Sequence, residues 1–238
     1  MDEAAEDELI ETNPLAGKKV RRKSSGRDDE IDPFTSEERG AIQDAASGQE
    51  HNLILFALWT GMRISELCAL NWDDVDWHKG TVRVDKALTQ PAKQSEAPKT
   101  QAGIRQVKLL FPAVNALQDQ KTYTYLKGQE IFQNPRTGER WTGDMVIRQR
   151  MWKRILKKAK VRYRYPYQMR HTYASMMLMV GESPQWVASQ MGHTDWTFTA
   201  RTYSRFIPDD APEAGERAVE RWTNAGKKLS FRAPNHTK

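Results

Sequence analysis

No aspartate or glutamate occurs between Asp144 and Glu182, yet the apolar residues inside that interval keep helical spacing. Ile147, Met151, Ile155 and Ala159 recur every four residues with Trp152 and Leu156 beside them, and Ala174, Met177, Leu178 and Gly181 repeat the pattern further on. Such a stretch is expected to form helices with one buried face and a strongly positive remainder. Arg170 and His171 sit inside it, where an anion, and phosphate above all, would be favoured.

Punctuation after this stretch is equally restrictive. Gly181 is expected to end one helix, Pro184 to open another through Trp186, Val187 and Met191, and Gly192 to stop that second helix just before His193. His193 then begins a loop, and Thr199 to Phe206 forms a short helix that carries Tyr203 back towards Arg170 and His193. A tyrosine hydroxyl, with a pKa of about 10, becomes a nucleophile near neutrality only if cationic donors stabilise its anion or a base removes its proton. Arginine and histidine supply both. Taken singly, each of the three residues also fits an ordinary role as a packed aromatic, a helix-terminal cation or a cap.

The 238 residues allow one sizeable domain plus appendages. A formal charge of +6 suits a polyanion better than an acidic partner. The single cysteine, Cys68, lies in an apolar run and reads as core, so no disulfide forms within the chain and a reducing, cytoplasmic compartment is expected. No apolar run approaches a membrane span, and the acidic N-terminus differs from a signal peptide. Five histidines without a Cys pair or a His-Glu-x-x-His helix offer no metal site, so the chemistry is expected to need no metal or other cofactor.

Residues 1–33 change from acidic to basic around Lys18–Lys23 and back to acidic at Asp28–Glu30, which reads as a linker. Thr35-Ser36-Glu37-Glu38 offers a hydroxyl cap with acids in the first helical turn. Leu53 to Trp59 is an apolar helix broken at Thr60-Gly61. A new helix begins in TGMRISEL, which puts Arg63 at an N-terminus where its fork and free N–H groups would converge on one anion. Glu66, one turn later, is expected to orient neighbouring groups. Val75 to Val84 reads as a hairpin and Arg105 to Leu109 as a third strand, giving a small three-stranded antiparallel sheet in a mainly α chain, an α+β fold. The arm before the third strand is long, carries Pro91 and Pro98, and leads to Lys99. Pro112 to Leu126 is a further helix. Arg148, Arg150, Lys153, Arg154, Lys157 and Lys158 line the polar face of 145–159, either solvated or tracking a DNA backbone. Glu213 to Ala225 can form an amphipathic helix that packs on its own domain or on a partner.

The segments RHTYAS, MGH and TYSRF, in that order, resemble the second half of a tyrosine recombinase, or phage-integrase-type, catalytic domain. TGMRISEL resembles the family's first arginine motif, and KTQAGIRQVKL its lysine segment between the second and third strands. The resemblance implies a nucleophile at Tyr203, phosphate ligands at Arg63, Arg170 and His193, and an acid at Lys99. Where the family usually has histidine three residues before the second arginine, this chain has Tyr167, which is expected to hydrogen-bond to the phosphate or to a neighbouring group. It also implies a linker and remnant of a core-binding domain over 1–33, a catalytic domain over 34–208 and a tail over 209–238.

The implied activity is site-specific cutting and rejoining of double-stranded DNA through a 3′-phosphotyrosyl intermediate, without metal or ATP. Integration or excision of a phage, prophage or other mobile element is the implied role, in a bacterial, nucleoid-associated homo-oligomer of two to four protomers. The alternatives are a DNA-binding remnant weakened in catalysis, a type IB topoisomerase-like strand transferase, and a nuclease using His171 and His193.

Overall fold

In the computed structural model, residues 31–88 and 103–206 are described. Residues 1–30 of the expected linker, Lys99 with residues 89–102 of its arm, and the helix expected at 213–225 lie outside the described residues.

Helix α1 (Ser36–Ala45) begins with the reciprocal cap expected of its sequence. Thr35 Oγ1 accepts from the Glu38 N–H at 3.2 Å, and Glu38 Oε2 accepts from the Thr35 N–H at 3.0 Å. The segment before it is fastened elsewhere. The Asp32 N–H donates to Gln168 Oε1 at 2.9 Å, the Phe34 N–H donates to Thr172 Oγ1 at 2.9 Å, and the Asp32 carboxylate pairs with Arg162 and Arg164. Phe34 packs edge-on against Trp152 with ring centroids 5.8 Å apart.

Helix α2 (Gly48–Thr60) is apolar on nearly every side because it is the central element of the core, with Leu53, Ile54, Phe56, Ala57 and Leu58 all buried. It packs on α4 (Phe111–Thr124), where Asn52 Nδ2 donates to Asp119 at 2.8 Å and to Gln120 at 3.2 Å. Between them in sequence come the short helix α3 (Ile64–Ala69) and a sheet of β1 (Val75–Asp76), β2 (Thr81–Val84) and β3 (Arg105–Lys108). The sheet is antiparallel in the order β1-β2-β3, with Val82 opposite both Val75 and Val107. Gly80 takes a φ of 63° in the β1–β2 turn.

The 145–159 segment departs from one continuous helix. It runs as α5 (Asp144–Ile147), a wide π-type turn (Arg148–Trp152) and α6 (Lys153–Lys158). Its apolar residues are spaced by four, longer than the 3.6 of an α-helix, and the wide turn absorbs that drift so that Ile147, Met151 and Ile155 all remain buried. Helix α7 (Gln168–Met179) packs on α2, and α8 (Pro184–Met191) on β3. Helix α9 (Trp196–Tyr203) lies against α8 and starts three residues earlier than expected, because Asp195 caps it by accepting from the Thr197 N–H at 2.8 Å. The fold is therefore mainly α with one small antiparallel sheet, as the sequence predicts. No described helix is long and apolar enough to cross a membrane.

Candidate active site

Two glycines at helix ends hold the centre of the site. Gly61 ends α2 with φ 62°, and a Cβ there would lie 2.3 Å from Tyr173 Cδ1, so both the backbone conformation and the neighbouring ring require glycine. Gly192 ends α8 in the same left-handed conformation, φ 71°. Arg170, in the first turn of α7 and 1% exposed, bridges the two ends. Its Nη1 donates to Gly61 O at 2.7 Å and its Nη2 to Met191 O at 2.7 Å. Burial pushes this guanidinium down to about 10, which leaves it cationic at neutral pH. Its Nε is buried with no hydrogen-bond partner among the described residues, a donor that an oxyanion would satisfy.

Arg63 stands as the N-cap of α3, as the sequence predicts, but its own N–H is not free for an anion. That N–H donates to Glu66 Oε2 at 2.8 Å, and Arg63 Nη1 donates to Glu66 Oε1 at 2.8 Å. Glu66 is buried, and its oxygens also accept a fork from Arg105, Nη1 at 3.1 Å and Nη2 at 2.9 Å. Burial alone would raise this carboxyl. The Arg105 hydrogen bonds and charge, followed by the charges of Arg170 and Arg63, reverse that and hold it at about 2. Arg105 Nε donates to Gln190 O at 2.7 Å, which ties β3 to the end of α8. Sequence reasoning missed Arg105 as a site residue. The signal present was its place at the end of KTQAGIR, and its partner Glu66 is a distant residue that only folding brings near.

His193 leaves α8 after Gly192 and receives a hydrogen bond on Nε2 from Arg170 Nη2 at 2.9 Å. A guanidinium only donates, so Nε2 carries the lone pair and the proton sits on Nδ1, which donates to Thr199 Oγ1 at 2.6 Å. Burial, then the charges of Arg170, Arg63 and Arg105, push His193 down to about 3, consistent with a neutral ring. Phe198 covers it edge-on at 5.2 Å.

Tyr203 is 1% exposed, and its hydroxyl lies 2.6 Å from His171 Nδ1. Burial raises the phenol well above its ordinary range, with Arg170 acting in the opposite direction. Burial and the adjacent Arg170 push His171 down to about 4. Tyr167 is 43% exposed at the start of α7, and its ring meets that of His171 edge-on at 4.9 Å. Arg63, Glu66 and Arg105 thus form one hydrogen-bonded group and Arg170 with His193 another, the two coupled by charge, while Tyr203 bonds His171, the residue next to Arg170.

The basic face of 145–159 is only partly a face. Its sequence offers no local counter-charge, but Glu50 of α2 pairs with Arg154, and Lys158 Nζ donates to Ala45 O at 2.9 Å. These two cations fasten the segment to α1 and α2, so the expectation of a row without counter-charges does not hold for Arg154. Arg148 stacks on Tyr165, 5.0 Å from the ring centre. Lys153 and Lys157 are exposed, and Arg150 lines a cleft of about 390 Å³ with Asn134, Arg136 and Arg140.

The sequence profile of the phage integrase family matches residues 34–207. Prophage integrase IntR of Escherichia coli (strain K12) is 35% identical over 223 residues, which cover 84% of this chain and 53% of that protein. A tyrosine recombinase XerC-like protein of Caldanaerobacter subterraneus subsp. tengcongensis is 29% identical over 238 residues, 90% of this chain and 61% of that protein. The chain spans about half the length of the Escherichia coli relatives it matches. Among solved structures, the Tn1549 transposon integrase (residues 82–397) in complex with circular intermediate DNA superposes with a TM-score of 0.64 at 22% identity, over 81% of this chain and 67% of that one. A lambda integrase dimer bound to a core site gives 0.58 at 18% identity, over 88% and 57%. The fold of these neighbours, the profile match and the ordered arginine, histidine and tyrosine segments agree: the chain belongs to the phage integrase family, and residues 34–207 carry its tyrosine recombinase catalytic domain.

Proposed function

We propose that this chain cuts and rejoins double-stranded DNA by attack of the Tyr203 oxygen on a phosphodiester, in the integration or excision of a mobile element. The supporting observation is Arg170, a buried cation fixed by two backbone carbonyls beside Arg63 and His193, with Nε unpartnered among the described residues. Preorganised donors of this kind act on charge that develops as the phosphorus becomes pentavalent, and cost no reorganisation at that moment. Arg63 and Arg170 take the two nonbridging oxygens, Arg170 through its unpartnered Nε–H. Attack leaves a 3′-phosphotyrosyl ester and a 5′ hydroxyl. The reverse attack by a 5′ hydroxyl reseals a strand and conserves the bond, so neither hydrolysis nor ATP enters. Lys99 is assigned the protonation of the leaving 5′ oxygen by its place in the matched segment.

His193 needs one adjustment for its part. With Nε2 accepting from Arg170, it donates to a phosphate oxygen only after Nε2 gains a proton. The Thr199 hydroxyl permits this, since it accepts from Nδ1–H in one tautomer and donates to bare Nδ1 in the other.

The test is a nicked duplex that loses its 5′ end on cleavage and traps the covalent complex. The wild-type chain forms an SDS-resistant adduct, and Tyr203→Phe forms none while its DNA affinity stays within about twofold. Adduct in the variant, or hydrolysed DNA with no protein attached, refutes the reading.

A further inference from the structure

We propose that His171 is the base that accepts the Tyr203 proton through Nδ1 as the tyrosine oxygen attacks, which makes it a catalytic residue in its own right. The proposal rests on the reading of Tyr203 as the nucleophile. The family resemblance assigns His171, next to Arg170, no role of its own. Geometry gives it more, because the 2.6 Å contact between Nδ1 and the hydroxyl is already that of a strong hydrogen bond.

Other acceptors are unsuited. Tyr203 is 1% exposed, so bulk water does not reach the phenol. The Nε2 lone pair of His193 is engaged by Arg170 and its other nitrogen carries a proton towards Thr199. Tyr167 meets His171 through an edge-on ring contact that holds the imidazole plane. His171 is held neutral, and in its Nε2–H tautomer the hydrogen bond runs from the tyrosine O–H to bare Nδ1, the direction a proton must travel.

Before DNA binds, complete transfer is unfavourable, since Arg170 disfavours a second cation beside it. A phosphodiester seated on Arg170 reverses part of that repulsion and brings the imidazole back towards its ordinary basicity. The phenol, in turn, acidifies as its oxygen bonds to phosphorus, so proton transfer and attack proceed together. In that step the Tyr203 O–H bond breaks and Nδ1–H forms. An oxygen lone pair makes the new bond to phosphorus, and the bond to the 5′ oxygen breaks with its electron pair on that oxygen, which takes a proton from the acid assigned to Lys99. In rejoining, the imidazolium returns its proton to the departing phenolate.

The experiment measures single-turnover adduct formation on the same nicked duplex, with the full chain, across pH. His171→Asn keeps an acceptor oxygen near the Nδ1 position but no base. The adduct rate is expected to fall by at least about 10²-fold, within the range of general acid–base catalysis. DNA affinity should stay unchanged. The groups facing His171 are Arg170 and Tyr167 on its own helix, Tyr203 on α9 and His193 in the preceding loop. None of these supplies a second base, so the variant rate should climb about tenfold per pH unit with the fraction of Tyr203 that is already ionised, where the wild-type rate has levelled. His171→Ala provides an independent check, with partial rescue by added imidazole in proportion to its free-base fraction. Wild-type rate and pH profile in His171→Asn overturn the proposal, as does faster cleavage, which would make the contact a clasp that restrains Tyr203. Those results leave Tyr203 as nucleophile. Absence of any wild-type adduct, with hydrolysed product, overturns both.

Discussion

Replacing Glu66 by Gln isolates the energetics of the arginine bridge. Glu66 accepts four hydrogen bonds from Arg63 and Arg105, and the amide would present an NH₂ group to one of those guanidinium forks. A carboxylate moved from 4.5 to about 2 by folding corresponds to about 3 kcal/mol of stability at neutral pH. Removing one partner of a buried ion pair costs about 3–5 kcal/mol, which agrees in size. Urea denaturation at neutral pH should therefore show Glu66→Gln less stable by about 3 kcal/mol. The sign of the pH dependence follows from a depressed folded-state pKa. The contribution is complete above the unfolded value of 4.5 and is lost as pH falls through about 2, so the two proteins converge across that window. A difference below about 1 kcal/mol at neutral pH, or one unchanged on acidification, would refute the account of Glu66 as an ionised bridge.

Gly61→Ala places a methyl 2.3 Å from Tyr173 and a side chain at φ 62°; a destabilisation of at least about 2 kcal/mol in chemical denaturation, with DNA cleavage falling further because Gly61 O anchors Arg170, is the expected outcome. Wild-type stability would contradict it. Lys153→Ala and Lys157→Ala should each lower the slope of log affinity against log salt by about 0.9, one phosphate apiece. Arg154→Ala and Lys158→Ala should leave the slope unchanged and reduce thermal stability instead, because those cations are engaged with Glu50 and Ala45. Filter binding across salt concentrations and a melting curve separate the two pairs.

What could be read from residues alone was what depends on neighbours in sequence. The Thr35–Glu38 cap, the glycine stops at 61 and 192 and the Val75–Val84 hairpin each need only a few adjacent side chains. The start of α9 lies three residues before the span its apolar residues suggest, because the Asp195 cap sets it. The wide turn at 148–152 was present in the spacing of four, but that spacing also fits an ordinary helix at lower precision. Other contacts had no local signal. Glu66 meets Arg105, Glu50 meets Arg154 and His171 meets Tyr203 only after helices pack, and none of these pairings follows from either partner's own segment.

Where the catalytic domain begins matters to anyone building chimeras. The family match starts at residue 34, yet Asp32 is bonded through its backbone to Gln168 and through its carboxylate to Arg162 and Arg164, and Phe34 is bonded to Thr172. Gln168 and Thr172 flank Arg170 on one helix. A splice at 34 would cut the first of these stitches and leave Arg164 with Glu38 as its remaining carboxylate. A splice upstream of Asp32 keeps them all, so a foreign DNA-binding module joined there would inherit an undisturbed helix beneath its leash.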